Sequence, residues 1–317
     1  MSMKADHLSI GKRRRLQQCA TEQGVFSILA IDHRNNLRRS LDPQDPDSVS
    51  DGALVEFKLA VVHSLAPEAS AILIDPEYGV EPVINADALP GKTGLIVAIE
   101  RSGYVSSPTA RMTELLPDWN AEKISKTGAS GVKLLIYYHP DAPTAPQIEE
   151  LAREVAQECS DAEIPLFLEP LSYSLDPDQR KLTSQERRRV VMETARRLTA
   201  IRGVDILKAE FPLDIAAATS ETEWFEACVE LTEASTVPWV LLSAGVDFET
   251  YLHQVAVASR AGASGVAVGR AVWKEGVGLS PAERDRFLSG VGHDRMAKVT
   301  SLCRTLSRPW TDGFKEV

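Results

Sequence analysis

Gly128-Ala129-Ser130-Gly131-Val132-Lys133-Leu134-Leu135-Ile136-Tyr137-Tyr138 is the stretch from which the fold is read, because its first five residues return at Gly262-Ala263-Ser264-Gly265-Val266. Each copy follows a helix-period segment and leads into a short apolar run, so the pair looks like one helix-to-strand junction used twice around a barrel. Working outward, similar apolar, β-branched runs recur, each followed by turn residues and then a helical pattern. That alternation predicts βα units and a parallel sheet. Strands are expected over 26–31, 71–74, 95–99, 132–137, 165–168, 206–209, 239–242 and 266–268, and eight is the number of a (β/α)8 TIM barrel. Amphipathic helices are expected over 53–65, 121–127, 148–159, 184–201, 221–234 and 248–261.

Helix ends carry their own signals. Asp247 before Phe248 suits an N-cap, Ser184 with Glu186 and Arg187 opens a long charged helix, and Gly128 and Gly262 sit where glycines stop helices. The longer loops, 75–90, 101–119 and 170–183, all follow strands. In a βα barrel that is the side that carries the site.

With 317 residues, 44% hydrophobic, 25% charged and 6% aromatic, the chain reads as one large α/β core. A net charge of -10 argues against nucleic acid as a partner. The basic run Lys12-Arg13-Arg14-Arg15 is expected on the solvated face of a short N-terminal helix, with a phosphate-tethering arm as the other reading. Cys19, Cys159, Cys228 and Cys303 form no close pair and are expected reduced and packed, in a cytoplasmic protein. No run reaches membrane-spanning length, so no membrane partner is expected.

Chemistry enters with two lysines in apolar strands, Lys133 and, in Asp205-Ile206-Leu207-Lys208-Ala209-Glu210-Phe211-Pro212, Lys208. An ammonium there loses hydration that the run cannot replace, so its pKa is depressed or it faces a wet functional pocket. The other reading is a lysine that snorkels to solvent or pairs with a carboxylate. A neighbouring cation is one way to keep an imine-forming lysine unprotonated. Polar groups also close the other strands: Asp32-His33-Arg34 after the first, Glu169-Pro170 after the fifth, Ser243-Ala244-Gly245 after the seventh, Gly269-Arg270 after the eighth. Asp32 as a helix cap and Glu169 as a salt-bridge partner of Lys133 or Lys208 are the competing structural readings. Six strands supplying such groups to one layer favour a site.

The last two strands suit phosphate, which barrels bind with the loops after strands seven and eight. Ser243, Ala244, Gly245 and Gly269 would offer backbone N–H groups and Arg270 a fork-shaped donor, unless the glycines are turn residues and Arg270 a surface charge. His7, His63, His139, His253 and His293 show no metal-ligand spacing. His33 stands apart through its neighbours, as a contact for a phosphate or hydroxyl.

These blocks carry a resemblance. With Arg101-Ser102-Gly103-Tyr104, Leu116-Pro117-Asp118-Trp119, Val132 to Tyr138, Leu168-Glu169-Pro170, Leu207-Lys208-Ala209-Glu210, Leu242 to Val246 and Gly269-Arg270-Ala271-Val272-Trp273 in order, the chain resembles the class I tagatose 1,6-bisphosphate aldolases from about residue 26 to 310. More distantly it resembles the sulfofructose-phosphate aldolases. The resemblance implies a single TIM-barrel domain of class I aldolase type over 1–317, with short terminal extensions.

It further implies that Lys208 forms a Schiff base with the ketose C2 carbonyl and that Glu169 takes the C4 hydroxyl proton. Lys133 would hold Lys208 deprotonated and orient the substrate, and Asp32 would bond substrate hydroxyls or join the proton relay. Ser243, Gly245, Gly269 and Arg270 would hold the phosphate near the imine carbon. Products would be dihydroxyacetone phosphate and glyceraldehyde 3-phosphate, with no cofactor and no metal. One departure is Asp32-His33-Arg34 where the family usually has Asp-Gln-Arg, which leaves the distal anion open between phosphate and sulfonate. Arg34 is the candidate to hold it, a salt bridge being the alternative. Cleavage to sulfolactaldehyde is the second enzyme reading, and a catalytically silent sugar-phosphate sensor the reading from another class. Similar barrels are often dimers, so a homo-oligomer is expected. The tail over 308–317 either covers the barrel or forms an interface.

Overall fold

Eight parallel strands close on themselves in the computed structural model, which describes residues 8–179, 181–217 and 220–315. His7 and the last two residues of the tail lie outside them. The strands are β1 (Phe26–Ala30), β2 (Ala71–Ile74), β3 (Gly94–Ala98), β4 (Gly131–Tyr137), β5 (Leu166–Leu171), β6 (Val204–Ala209), β7 (Trp239–Leu242) and β8 (Gly265–Val268). Each pairs with its chain neighbours, and β8 closes on β1 in the register Phe26↔Gly265 to Leu29↔Val268. The strands are buried on both faces, which is why they read as continuous apolar runs without alternation.

The repeated pentapeptide is one junction used twice. Gly128 (φ +81°) and Gly262 (φ +111°) follow the helices Ala121–Lys126 and Phe248–Arg260, in a left-handed conformation that other residues adopt at a cost. The serine two residues later then donates its N–H to the preceding strand, Ser130 to Leu95 O at 2.6 Å and Ser264 to Trp239 O at 2.8 Å.

Several boundaries differ from the sequence reading. β5 runs on through Glu169 and Pro170 to Leu171, so Glu169 lies within the strand. Proline is tolerated there because the ladder to β6 stops at Leu168↔Leu207 while pairing with β4 continues. The long charged helix Ser184–Thr199 is capped by Thr183, in a capping box with Glu186, and Ser184 is its first residue. The loop over 101–119 folds into a hairpin, Val105–Ser107 with Ala110–Met112, and 75–90 contains the helix Val80–Asn85. Two further helices, Pro281–Phe287 and His293–Leu306, follow β8.

The first and last described segments pack on the strand-start side of the barrel. The helix Ile10–Cys19 carries the basic run, but Lys12 is buried and not solvated as expected. Its ammonium donates to Asp205 at 2.8 Å and to Gly203 O at 3.2 Å, and Arg15 donates to Ala129 O. Asp205 also accepts the Leu166 N–H at 2.8 Å, so the lysine charge satisfies a carboxylate that caps β5. The tail covers the same side: Trp310 N–H donates to Gly24 O, Arg308 N–H to Ala263 O and Lys315 N–H to Thr236 O. The described part of the tail thus covers the strand-start side of the barrel, away from the loops that follow the strands. All four cysteines are free and buried.

Candidate active site

A cavity of about 290 Å³ opens among the strand C-termini. Asp32, His33, Lys133, Glu169, Lys208, Ser243, Ala244, Gly269 and Arg270 all line it, which brings the sequence candidates from six strands into one pocket. Five cations and four carboxylates face it, so the wall is net positive in a chain of net charge -10.

At its floor lies a chain of alternating charge. Lys133 is 1% exposed and its Nζ lies 2.8 Å from Asp32 Oδ2, 2.6 Å from Glu100 Oε1 and 3.1 Å from Glu169 Oε2. The same Glu169 oxygen is 2.7 Å from Lys208 Nζ. One carboxylate thus sits between two ammoniums. The register pairs Leu168 with Leu207, so Glu169 and Lys208 each stand one residue past a paired position, and it pairs Lys133 with Phe167, two residues before Glu169 and on the same face.

Burial alone would raise the carboxylate pKa values and lower that of the lysine, but the contacts win. Burial pushes Asp32 up, yet Lys133, Lys208 and His33 hold it well below the ordinary carboxylate range. Glu169 is held down by Lys208 and then Lys133, against burial and the Asp32 charge. Lys133 is raised well above its ordinary value, because Asp32, Glu100 and Glu169 together outweigh its desolvation. Three carboxylates converge here on an ammonium, and among the described residues no group of three or more His, Cys, Asp or Glu side chains could hold a metal ion.

Across the pocket lies an anion cradle. Ser243 Oγ accepts the Gly269 N–H at 3.3 Å, tying the loops after β7 and β8 together. Ala244 and Gly245 are both left-handed (φ +46° and +78°), and Gly245 backs directly onto the Arg270 guanidinium, which a Cβ at Gly245 would approach within 3.0 Å. Arg270 is partly buried, and among the described residues its guanidinium forms no ion pair or hydrogen bond. A guanidinium held beside a glycine backbone without a counter-ion is chemically suited to an oxyanion.

His33 packs edge-on against Trp273 with ring centroids 5.2 Å apart. Burial takes its imidazole down to about 3, against the pull of Asp32 and assisted by Arg270, Lys58 and Lys208. It is neutral at working pH, and its Nδ1, 3.8 Å from Asp32 Oδ1, has no hydrogen-bond partner. Arg34 lines the cavity but is already engaged, donating to Glu77 Oε2 at 2.6 Å and to Glu100 O at 2.5 Å. Its arrangement is the salt-bridging one.

Some residues of the pocket were not singled out from sequence. Glu100 binds Lys133 and accepts the Leu135 N–H at 3.0 Å; it stands one residue after Ile99, as Glu169 stands one after Leu168, and that parallel was its signal. The hairpin sets Arg111 over the rings of Tyr104, Tyr137 and Tyr173 at 4.5, 5.4 and 4.7 Å, beside the cavity wall formed by Tyr137.

Comparison with known proteins agrees with this geometry. A family model described as "DeoC/LacD family aldolase" matches residues 26–275. The tagatose 1,6-diphosphate aldolase 2 of Enterococcus faecalis is 33% identical over 290 residues, covering 85% of both chains. The enzyme of the same name from Streptococcus mutans is 30% identical over 325 residues, covering 96% of this chain and 98% of its own. Among solved structures, the fructose-bisphosphate aldolase of Plasmodium falciparum superposes with a TM-score of 0.72 at 16% identity, covering 97% and 98% of the two chains. That likeness speaks for the barrel. The family match over most of its length, with relatives 30% and 33% identical, places the chain in the DeoC/LacD family of aldolases.

Proposed function

We propose that the chain is a Schiff-base aldolase that reversibly cleaves a ketohexose bisphosphate, tagatose 1,6-bisphosphate foremost, to dihydroxyacetone phosphate and glyceraldehyde 3-phosphate. The observation that carries this reading is the placement of Glu169 Oε2 at 2.7 Å from Lys208 Nζ and 3.1 Å from Lys133 Nζ. An amine and a carboxylate held this close on neighbouring strands are the two groups that imine chemistry needs.

In the proposed sequence, Lys208 Nζ attacks the C2 carbonyl, and its oxygen leaves as water. The protonated imine withdraws electrons from C3–C4. Glu169 takes the C4 hydroxyl proton as that bond breaks; the aldehyde departs and an enamine remains on Lys208. Protonation at C3 and addition of water then release dihydroxyacetone phosphate. The imine supplies the electron sink, so the reading requires no metal and no organic cofactor. Lys133 shares Glu169 with Lys208, and it orients Asp32 toward the substrate hydroxyls. Ser243, Ala244, Gly245, Gly269 and Arg270 take the C1 phosphate, with His33 as a neutral hydrogen-bonding neighbour. Tagatose bisphosphate is favoured by the names of the relatives at 30% identity or more.

The test is a set of cleavage rates in the presence of EDTA with tagatose 1,6-bisphosphate, fructose 1,6-bisphosphate and sulfofructose 1-phosphate. Turnover of the bisphosphates is expected. Turnover of the sulfonate alone would replace the substrate, and failure with all three, rescued by a divalent metal, would overturn the mechanism.

A further inference from the structure

Beneath the pocket lies an ion pair without any access to solvent. Lys58, on the helix Asp51–Leu65, meets Asp75 at 2.5 Å just past the end of β2, and both side chains are 0% exposed. Burying two charges this completely is seldom favoured over apolar packing of the same volume, so stability alone is a weak reason for the pair. The other contacts of Lys58 are more telling. Its ammonium also donates to Ile31 O at 2.6 Å and to His33 O at 2.8 Å. These are the carbonyls on either side of Asp32.

We propose that Lys58, seated by Asp75, is a positioning residue that fixes the backbone at Asp32 so that its carboxylate meets Lys133 and faces the substrate. This rests on the aldolase reading above. β1 ends at Ala30, and past it the only ladder-type bond is Ile31 N–H to Leu73 O among the described residues. Asp32 is therefore beyond the sheet, where the strand no longer fixes it. Lys58 replaces the ladder with two bonds from one buried cation, and Asp75, whose Oδ2 accepts the Tyr78 N–H at 2.8 Å, is itself anchored in the turn after β2. Glu77 in that turn holds Arg34, so a single turn sets residues on both sides of His33.

Two variants separate this role from plain stability. Lys58→Met/Asp75→Leu removes both charges and keeps the volume, so its melting temperature should recover toward that of the native protein. Its kcat should nonetheless fall about 10²-fold, the order expected for a displacement near 1 Å, while KM changes little. Asp75→Asn removes the anion that seats Lys58 but leaves both carbonyl acceptors in place, so it should lose stability and lower kcat, by less than the double variant does. A double variant with wild-type kcat, or an Asp75→Asn variant as inactive as the double, would overturn the proposal. A crystal structure of the double variant gives a readout independent of the reaction. Asp32 Oδ2 should have left Lys133; if it stays at the native distance, the positioning role is wrong even where the aldolase reading holds. Wild-type protein that cleaves no ketose bisphosphate would instead count against the aldolase reading, with the Asp32 position still testing this one.

Discussion

Glu169→Gln separates the two halves of the chemistry, because the substitution keeps shape and removes only the charge between two lysines. At an effective dielectric of about 20, the contacts at 2.7 and 3.1 Å each represent about 5 to 6 kcal/mol of attraction, largely offset by the desolvation of the partners. Lys133 retains Asp32 at 2.8 Å and Glu100 at 2.6 Å, so the variant should fold, with a loss of about 1 to 3 kcal/mol. Removing a positioned base costs about 10² to 10⁴ in rate, or about 3 to 5 kcal/mol of barrier. Cleavage kcat should fall by that factor. Imine formation uses the Lys208 amine, which the substitution leaves in place, so borohydride trapping of dihydroxyacetone phosphate should stay within about threefold of wild type. Cleavage within tenfold of wild type would refute the proton-shuttle role. Loss of trapping in parallel with cleavage would move Glu169 to imine formation instead.

The remaining predictions concern charge, cradle and scaffold. Asp32 and Glu169 have folded pKa values below their ordinary ones, so they contribute stability above about pH 4 that is lost as pH falls through the folded values. Melting temperature against pH should decline in acid less steeply for Lys133→Met than for the native chain, and equal slopes would contradict the coupling. Lys133, raised instead, contributes fully below about pH 10 and loses its contribution as pH rises through its folded value. Gly245→Ala forces a side chain into a left-handed position against Arg270; KM for phosphate-bearing substrates should rise about tenfold, and an unchanged KM would remove this loop from the cradle. Lys12→Met leaves Asp205 buried without its cation, so urea unfolding should show a loss of about 3 to 5 kcal/mol. Because that pair lies on the strand-start side, kcat of the folded protein should be unchanged.

What the sequence made legible follows from how strongly each residue violates its surroundings. Lys133 and Lys208 interrupt apolar strands, where an ionisable group is expensive, Glu169 stood out as the charge closing another, and all three face the cavity. Strand number and order were readable because parallel strands buried on both faces leave long apolar runs. Glu100 was hidden by its neighbour Arg101, which made the position look like the start of an ordinary polar loop. Lys58 was hidden differently: a lysine on an amphipathic helix is unremarkable, and two of its three acceptors are backbone carbonyls that no side-chain pattern encodes. Within the basic run Arg13 and Arg14 are exposed as expected, but Lys12 was hidden for the same reason, since the partners of Lys12 and Arg15 at Gly203, Asp205, Ser125 and Ala129 are more than 100 positions away. The sequence left Arg34 open between a substrate anion and a salt bridge because Glu77 and Glu100 meet it only through the fold.

The central claim is that Lys208 is the covalent nucleophile, and peptide mass mapping after borohydride reduction with dihydroxyacetone phosphate tests it most directly. The expected result is one reduced adduct, on Lys208, absent from a Lys208→Ala variant that no longer turns over. Protein that cleaves substrate without an adduct on Lys208, or a Lys208→Ala variant with normal turnover, would contradict the claim.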